Sequence, residues 1–113
     1  MIFGTKRLSK ANMTAEEFRQ LALSFDGAAE GSHMGHPDFR VGGKIFATLS
    51  PDPTCGMAKL TPEQQGDLLE NYPDAFKPAA GKWGLAGATL VILDHATTEI
   101  AGEALTLAWQ NRQ

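Results

Sequence analysis

The chain has 113 residues, with 10 lysines and arginines against 13 aspartates and glutamates, which gives a formal net charge of −3. This length suffices for one domain with a modest core and is too short for two. Apolar residues make up 42% and charged residues 20% of the chain, values that exclude wholesale disorder. No apolar run reaches the roughly 18 residues that a membrane-spanning helix needs.

The first thirteen residues differ from the rest of the chain. They contain Lys6, Arg7 and Lys10 and show neither a helical nor a strand period, so we predict a basic, flexible arm over 1–13 ahead of a single domain over 14–113. The arm lacks the apolar core of a signal peptide, and Cys55 is the one cysteine, so an intrachain disulfide is impossible. We therefore expect a cytoplasmic protein.

The first helix has a clear start signal. Thr14 and Glu17 have the spacing of a capping box, in which each side chain binds the other residue's backbone N–H. The apolar residues that follow recur at helical spacing, namely Phe18, Leu21, Ala22 and Phe25. Gly27 is a typical helix terminator. The pattern predicts a helix over 15–26.

Two strands follow, over 39–41 and 44–49, and Gly42–Gly43 between them predicts a tight hairpin turn. A two-residue loop pairs Arg40 with Ile45. The core-facing residues of that register are Phe39, Val41 and Phe46, and the outward apolar residues are Ile45 and Leu49. A three-residue loop instead places Phe46 on the outer face with Arg40, because a one-residue slip reverses every side chain. The sequence leaves both registers open.

Later elements are marked by proline, glycine and capping residues. A break at Pro51–Asp52–Pro53 is followed by a strand over 55–60 and by a helix that begins at Thr61–Pro62, with Gln64 in its capping box, and stops over 71–74. An extended region then holds Phe76–Lys77 and Lys82–Trp83, and a turn follows over 84–87. The chain ends with a strand over 89–93 and a last helix from Thr97 or Thr98. The order α-β-β-β-α-β-β-α predicts an α+β, two-layer fold with a mainly antiparallel sheet and helices on one face.

Charge is unevenly placed along the chain. The predicted helices are acidic, whereas the strand regions over 31–60 and 71–93 carry five cations and three acids. The cations are Arg40, Lys44, Lys59, Lys77 and Lys82. One interpretation is a cationic sheet face for a polyanion such as nucleic acid. The other is that strand cations prevent edge-to-edge aggregation.

Few residues suggest catalysis or metal binding. His33, His36 and Asp38 are types that bind zinc or iron, but their spacing matches no strong zinc signature, and surface histidines are the simpler interpretation. Cys55 has no base near it in sequence and would need a histidine brought to it by the fold. The sequence contains no GxSxG, HExxH or phosphate-binding glycine loop. We expect no enzyme, cofactor or metal site.

Two segments carry a family resemblance. The stretch GHPDFRVGGKIFATL over 35–49 resembles the signature of the MmcQ/YjbR family. Gly81–Lys82–Trp83–Gly84, Gly87–Ala88–Thr89 and the closing Ala108–Trp109 are similar to later parts of the same family pattern. The resemblance covers residues 14–110. It implies a small, apparently bacterial protein with a CyaY-like or secretion-chaperone-like fold in α-β3-α-β2-α order.

The resemblance also implies double-stranded DNA binding through two β-hairpin wings, with no catalytic residues. Arg40, Gly42, Gly43 and Lys44 match the first wing, and Lys82, Trp83, Gly84 and Gly87 match the second. Lys59 and Lys77 would add phosphate contacts, and Trp83 would stack on a base.

Two other functions remain open from the sequence. A non-catalytic adaptor domain would use the open sheet face and the apolar Leu85–Ala86 to meet a protein partner or a second copy. An enzyme or metal protein would need His33, His36 and Asp38 to converge in a pocket.

Overall fold

The computed structural model describes residues 12–50 and 54–113, apart from the side chain of His33. It contains four helices and six strands in the order α1-β1-β2-β3-β4-α2-β5-α3-β6-α4. The helices are α1 (Ala15–Leu23), α2 (Pro62–Asn71), α3 (Gly81–Leu85) and α4 (Thr98–Asn111). The strands are β1 (Ala29–His33), β2 (His36–Val41), β3 (Lys44–Leu49), β4 (Cys55–Lys59), β5 (Phe76–Pro78) and β6 (Ala88–Ile92), and a 3-10 turn follows over Leu93–His95.

The predicted caps begin the three long helices. Thr14 with Glu17 and Thr61 with Gln64 form complete capping boxes, and the Thr97 hydroxyl accepts a hydrogen bond from the backbone N–H of Ile100. Helix α1 ends three residues before the predicted Asp26. The Ser24 hydroxyl binds the Leu21 carbonyl oxygen at 2.6 Å, and the chain then turns away. The turn packs Phe25 against the rings of Phe46 and Trp109.

The six strands form one antiparallel sheet in the order β1-β2-β3-β4-β6-β5. Helices α1, α2 and α4 cover one face, and the core lies between the two layers. Its largest fully buried side chains include Phe18 of α1, Phe39 of β2, Phe46 of β3 and Leu105 of α4. The α+β fold with a mainly antiparallel sheet is therefore confirmed.

The β2–β3 hairpin combines the two registers that the sequence left open. Its tip has the two-residue loop, with Arg40 opposite Ile45, but a bulge between Phe39 and Arg40 shifts Phe39 to pair with Ala47. The extra residue is Phe46, which stays in the core beside Ala47. Because the bulge reverses the alternation beyond it, Leu49 is only 6% exposed and packs in the core. The expectation that Leu49 lies on the outer face was wrong.

Two elements differ from the sequence prediction. Strand β1 was missed because its sequence, AEGSH, lacks an apolar pattern; pairing with β2 through a two-residue turn forms it at the sheet edge. Residues Lys82–Trp83, predicted as extended, and the first two residues of the predicted turn, Gly84 and Leu85, form helix α3 instead. The element order thus has one more strand and one more helix than predicted.

The N-terminal prediction falls mostly outside the described residues. Met13 is buried and its backbone N–H binds the Leu93 carbonyl oxygen at 2.8 Å, so the chain is packed from this residue onward. The predicted arm before residue 12 and the predicted break at Pro51–Asp52–Pro53 lie outside the described residues. Among the residues that are described, no helix has the length and apolar content to cross a membrane.

Candidate functional site

The face of the sheet opposite α1, α2 and α4 is the candidate site, and we call it the open face. Strand alternation on β4 points Met57 and Lys59 to this face, while Ala58 between them is buried in the core. The register pairs Met57 with Leu90 and Lys59 with Ala88 of β6, so their side chains share one surface. The apolar side chains of this surface are Ile45, Met57, Leu90 and Ile92.

The open face carries more positive than negative charge. Among the described strand residues that point to it, the cations are Arg40, Lys59 and Lys77, and Asp38 is the one acid. The helices on the other face hold the acidic residues Glu16, Glu17, Glu63, Asp67, Glu70, Glu99 and Glu103. The uneven charge of the sequence is therefore a difference between the two sides of the molecule.

Trp83 and Lys59 meet at the edge of this face. The ammonium nitrogen of Lys59 lies 5.1 Å from the centroid of the Trp83 ring, a cation–π contact. The Trp83 side chain remains 68% exposed, although it is a large aromatic group. An exposed indole beside a cation is a surface on which a planar ring next to an anion can bind.

Two grooves adjoin this residue pair. The first, which we call the apolar groove, has a volume of about 390 Å³ and runs along the open face. Its lining includes His36, Ile45, Thr48, Met57, Lys59 and Trp83. Ile45 and Met57 make its floor apolar.

The second groove, which we call the cationic groove, also has a volume of about 390 Å³. Its lining includes Lys59, Thr61, Trp83, Asn111 and Arg112. Arg112 is held in place because its Nε donates to the Ile45 carbonyl oxygen at 3.1 Å. Asn111 is held as well, since its amide nitrogen donates to the Lys59 carbonyl oxygen at 3.3 Å and to the Gln64 side-chain oxygen at 2.8 Å.

The charged form of Lys59 is disfavoured at the junction of the two grooves. Burial lowers the pKa of the Lys59 ammonium below its ordinary value, and the positive charge of Arg112 lowers it further. An anion bound beside these two cations would stabilise the charged form of Lys59.

Arg40, predicted as a phosphate contact of the first wing, is engaged within the protein. Its guanidinium donates to both carboxylate oxygens of Asp38, at 2.7 Å and 3.0 Å. This hydrogen bonding raises the pKa of Arg40, which stays a cation. The Asp38 carboxylate has no exposed surface and offsets the Arg40 charge locally. Arg40 therefore adds less to an anion-binding surface than its charge alone suggests.

The hairpin tip separates the two residues predicted to act together. Arg40 pairs with Ile45 on the open face, whereas Lys44 pairs with Val41, whose side chain packs on the core side. Gly42 and Gly43 form the turn between them, with φ of 59° and 81°. Lys44 is exposed at the tip, on the opposite side of the hairpin from Arg40.

The region predicted as a second hairpin wing contains helix α3 and the residues that pack against it. A Cβ atom on Gly84 would lie 1.9 Å from the Ala79 carbonyl oxygen, so the backbone of Ala79 leaves space only for a glycine at this position. The buried side chain of Gln65 donates to the carbonyl oxygens of Gly84 and Ala88 at 3.1 and 3.0 Å. These contacts fix α3 against β6. Gly84 and Gly87 both match the family pattern, and a Cβ atom on Gly87 would clash with the Leu60 carbonyl oxygen.

Lys77 and Lys82 lie apart from each other. Lys77 is on the edge strand β5, opposite Leu90 on the open face. Lys82 is exposed on α3, next in sequence to Trp83. Of the predicted binding residues, the structure brings Lys59 and Trp83 into direct contact. Lys77 shares their face, and Gly42, Gly43 and Lys44 lie at the far hairpin tip.

The residues considered for metal binding or catalysis have other surroundings. Among the described residues, no group of three or more histidine, cysteine, aspartate or glutamate side chains is placed to hold a metal ion. The side chain of His33 lies outside this description, and Asp38 binds Arg40. Cys55 begins β4, and its sulfur accepts a hydrogen bond from the Thr54 hydroxyl at 3.7 Å.

Comparison with known proteins identifies the family. The YjbR family model matches residues 23–111, which include all six strands and helices α2 to α4. The chain therefore has the α+β architecture of a YjbR domain. It belongs to the YjbR family, as the motifs over 35–49 and 81–89 indicated.

A solved structure shows the same fold. The crystal structure of the Deinococcus radiodurans protein DR2400, which carries the family-model domain DUF419, superposes on this chain with a TM-score of 0.69. The match covers 89% of this chain and 78% of the other at 19% sequence identity. Comparison with curated proteins gave no match.

Sequence reasoning missed part of the site. Arg112 and Asn111 line the cationic groove beside Lys59, although more than 50 residues separate them in the chain. No local pattern marks them, because they reach the groove through the packing of α4 across the sheet. Met57 was placed in a strand, and only the sheet register shows that it forms the groove floor.

Proposed function

We propose that this protein is a non-catalytic DNA-binding module that holds a DNA strand across its open face. The observation that carries the proposal is the contact between Lys59 and the exposed ring of Trp83, at the junction of two grooves. Basic side chains that contact phosphates beside an aromatic ring on which bases stack are the usual components of a single-strand binding surface.

The charge distribution supports a polyanionic partner. The chain carries a net charge of −3, yet Lys59, Lys77 and Arg112 lie on or beside the open face, and the acid there is bound to Arg40. A DNA strand on the helical side would meet the acidic residues of α1, α2 and α4. Electrostatics therefore favours one side of the molecule.

The position of Trp83 favours single-stranded over duplex DNA. Bases in a duplex already stack on each other, so a protein ring stacks on a base only where the strand is unpaired. Helix α3 replaces the second hairpin wing, and Arg40 of the first is bound to Asp38. We therefore assign the main contacts to Lys59 and Trp83 rather than to the hairpin tips.

Fluorescence anisotropy with a labelled oligodeoxyadenylate of about 12 nucleotides, a length within the range that small domains bind, tests the proposal. The matching duplex is titrated beside it at low and physiological salt. We expect the single strand to bind more tightly and both affinities to fall with salt. Trp83→Ala should weaken single-strand binding about tenfold, the effect of losing one stacked base. Lys59→Gln should weaken it about threefold and reduce the salt dependence.

Lys44→Gln is the matched control, because it removes the same charge from the hairpin tip on the other side. Circular dichroism of each variant checks that folding is retained. Loss of binding in Lys44→Gln with none in Lys59→Gln would place DNA on the hairpin tip and contradict the open-face proposal. Absence of binding to either DNA at low salt would reject DNA binding itself.

A protein partner is the second candidate function. Leu85 on α3 is 82% exposed, two residues from the exposed Trp83, and such neighbouring apolar side chains are typical of interaction surfaces. Sedimentation of the purified chain over a range of concentrations, beside Leu85→Ser, tests self-association through this patch. A mass that rises with concentration only in the unsubstituted chain would favour this function.

A further inference from the structure

We propose that the cationic and apolar grooves form one two-part pocket for a nucleoside monophosphate unit, with the phosphate in the cationic groove and the base in the apolar groove. The proposal rests on the proposed function, since such a unit is one link of a DNA strand, and it names the part of the strand that the site recognises. The two grooves share Lys59, Trp83 and Ala88, so a ligand that occupies both passes over this junction.

The cationic groove has the features of a phosphate site. Lys59 and Arg112 both line it, and the positive charge of Arg112 contributes to the lowered pKa of Lys59. The hydrogen bond from Arg112 Nε to the Ile45 carbonyl oxygen fixes the plane of the guanidinium. Among the described residues, this is the one hydrogen bond that the Arg112 side chain donates. The two terminal nitrogens of the guanidinium can therefore donate to a ligand. A fixed arginine fork beside a lysine suits the several oxygens of a phosphate.

The apolar groove has the features of a base site. Ile45 and Met57 give it an apolar floor, and the exposed Trp83 ring forms one wall. His36 and Thr48 also line this groove. Its volume of about 390 Å³ lies within the usual range of small-molecule sites, roughly 300–1,000 Å³.

The two halves together favour a nucleotide over other amphipathic anions. A flat aromatic wall favours a planar ring over an aliphatic chain, because stacked rings gain contact across their whole faces. Two cations favour a phosphate, whose charge near neutral pH is about −1.5 to −2, over a singly charged carboxylate.

NMR titration of the ¹⁵N-labelled full chain tests the proposal with three probes: inorganic phosphate, 2′-deoxyadenosine and 2′-deoxyadenosine 5′-monophosphate. We expect phosphate to shift the amide signals of Thr61 and Arg112, and the nucleoside to shift those of Ile45 and Met57. The monophosphate should shift both sets and the Trp83 indole signal, and bind more tightly than either part. Shifts confined to Lys77 or to the hairpin tip would overturn the pocket.

Arg112→Gln should weaken monophosphate binding about tenfold and leave nucleoside binding unchanged, because a charge-assisted hydrogen bond is lost only with phosphate. Arg112→Lys keeps the charge but loses the planar fork, so it should recover only part of the affinity that Arg112→Gln loses. Lys77→Gln removes a charge from the open face outside both grooves and should change affinity less than about twofold. Equal losses in Arg112→Gln and Lys77→Gln would mean that general surface charge, and not a pocket, binds the phosphate.

The oligodeoxyadenylate is titrated into the same labelled chain to separate the two proposals. If the oligonucleotide shifts open-face signals while the monophosphate shifts none, the pocket is wrong and the DNA-binding proposal stands. If the monophosphate shifts both grooves and the oligonucleotide does not bind, the pocket stands as a site for free nucleotides and DNA binding is wrong.

Discussion

The carboxylate of Asp38 is completely buried on the open face, and the guanidinium of Arg40 closes over it with two hydrogen bonds of 2.7 and 3.0 Å. The neighbouring strand β1 has a glycine, Gly31, opposite Asp38, which leaves space for this ion pair. A Cβ atom on Gly31 would lie 2.9 Å from Asp38 Oδ1 and 3.1 Å from Arg40 Nε. The main role of Arg40 is therefore to neutralise a buried carboxylate, and its contribution to the surface charge is secondary.

This relationship predicts that Arg40→Gln affects folding more than DNA binding. Removing the guanidinium takes two hydrogen bonds and a positive charge away from the buried Asp38 carboxylate, which is unfavourable. We expect a lower urea midpoint for Arg40→Gln than for Lys44→Gln, and single-strand affinity within about twofold of the unsubstituted chain, as for an exposed charge outside the binding site. An unchanged urea midpoint with a large loss of DNA affinity would contradict the structure and restore the wing interpretation.

Gly84 is predicted to be intolerant of any side chain. A Cβ atom there would lie 1.9 Å from the Ala79 carbonyl oxygen, so backbone must move to admit it. We expect Gly84→Ala to lower the free energy of unfolding by about 3 kcal/mol, the upper part of the range for overpacked sites. Urea denaturation followed by circular dichroism measures the loss. Because α3 carries Trp83, the variant should also weaken single-strand binding.

Gly66 in α2 provides the control for that substitution. A Cβ atom on Gly66 meets nothing within 4 Å, and the residue is exposed in the middle of a helix. Gly66→Ala should therefore raise the free energy of unfolding by about 0.5–1 kcal/mol, the difference in helix propensity between the two residues. Destabilisation by both substitutions to a similar extent would show that close packing at Ala79 is not the cause.

The sequence predicted elements whose signals are local. The capping residues Thr14 and Thr61 were placed correctly, and the start of α4 was narrowed to Thr97 or Thr98. Strand β3 was predicted with its observed bounds, because caps and apolar patterns act over a few residues. Strand β1 could not be predicted, since its stability comes from pairing with β2 and not from its own composition. The bulge at Phe46 was equally hidden, because the core decides which face that ring takes.

The candidate site was predictable only in part, for the same reason. Lys59 and Trp83 were both singled out, but nothing in the sequence indicated that one lies 5.1 Å from the other. Arg40 and Lys44 flank one turn and were taken as one phosphate-binding tip, yet strand alternation sends them to opposite sides. Arg112 enters the site through tertiary packing of α4, which no short-range pattern records.

Met34 gives a prediction for the β1–β2 turn. It is the one non-glycine residue with a positive φ, 54°, among the described residues, and its side chain is 88% exposed. Such a conformation costs a residue with a Cβ atom about 1 kcal/mol, and asparagine tolerates it better than methionine. We expect Met34→Asn to raise the free energy of unfolding by about 0.5 kcal/mol, with Met34→Ala unchanged as the control. A loss of stability in Met34→Asn would mean that the methionine side chain makes a stabilising contact.

Lys59 gives a prediction for the pH dependence of DNA binding. Burial first, and the charge of Arg112 second, lower the pKa of its ammonium. The folded protein therefore loses this proton at a lower pH than an unfolded chain would. The charged ammonium lowers the stability of the folded state at neutral pH, and this loss of stability disappears as the pH rises through the lowered pKa.

Binding to oligodeoxyadenylate, whose bases do not titrate in this range, should consequently weaken over a pH interval that begins below the ordinary lysine pKa of about 10.4. A bound phosphate favours the charged form, so binding in that interval should be accompanied by proton uptake, measurable as a dependence of the calorimetric heat on the ionisation enthalpy of the buffer. Lys59→Arg keeps a permanent charge and should flatten the pH profile, whereas Lys44→Arg should leave it unchanged. If Lys59→Arg retained the same decline with pH, the lysine ammonium would not be the group that contacts DNA.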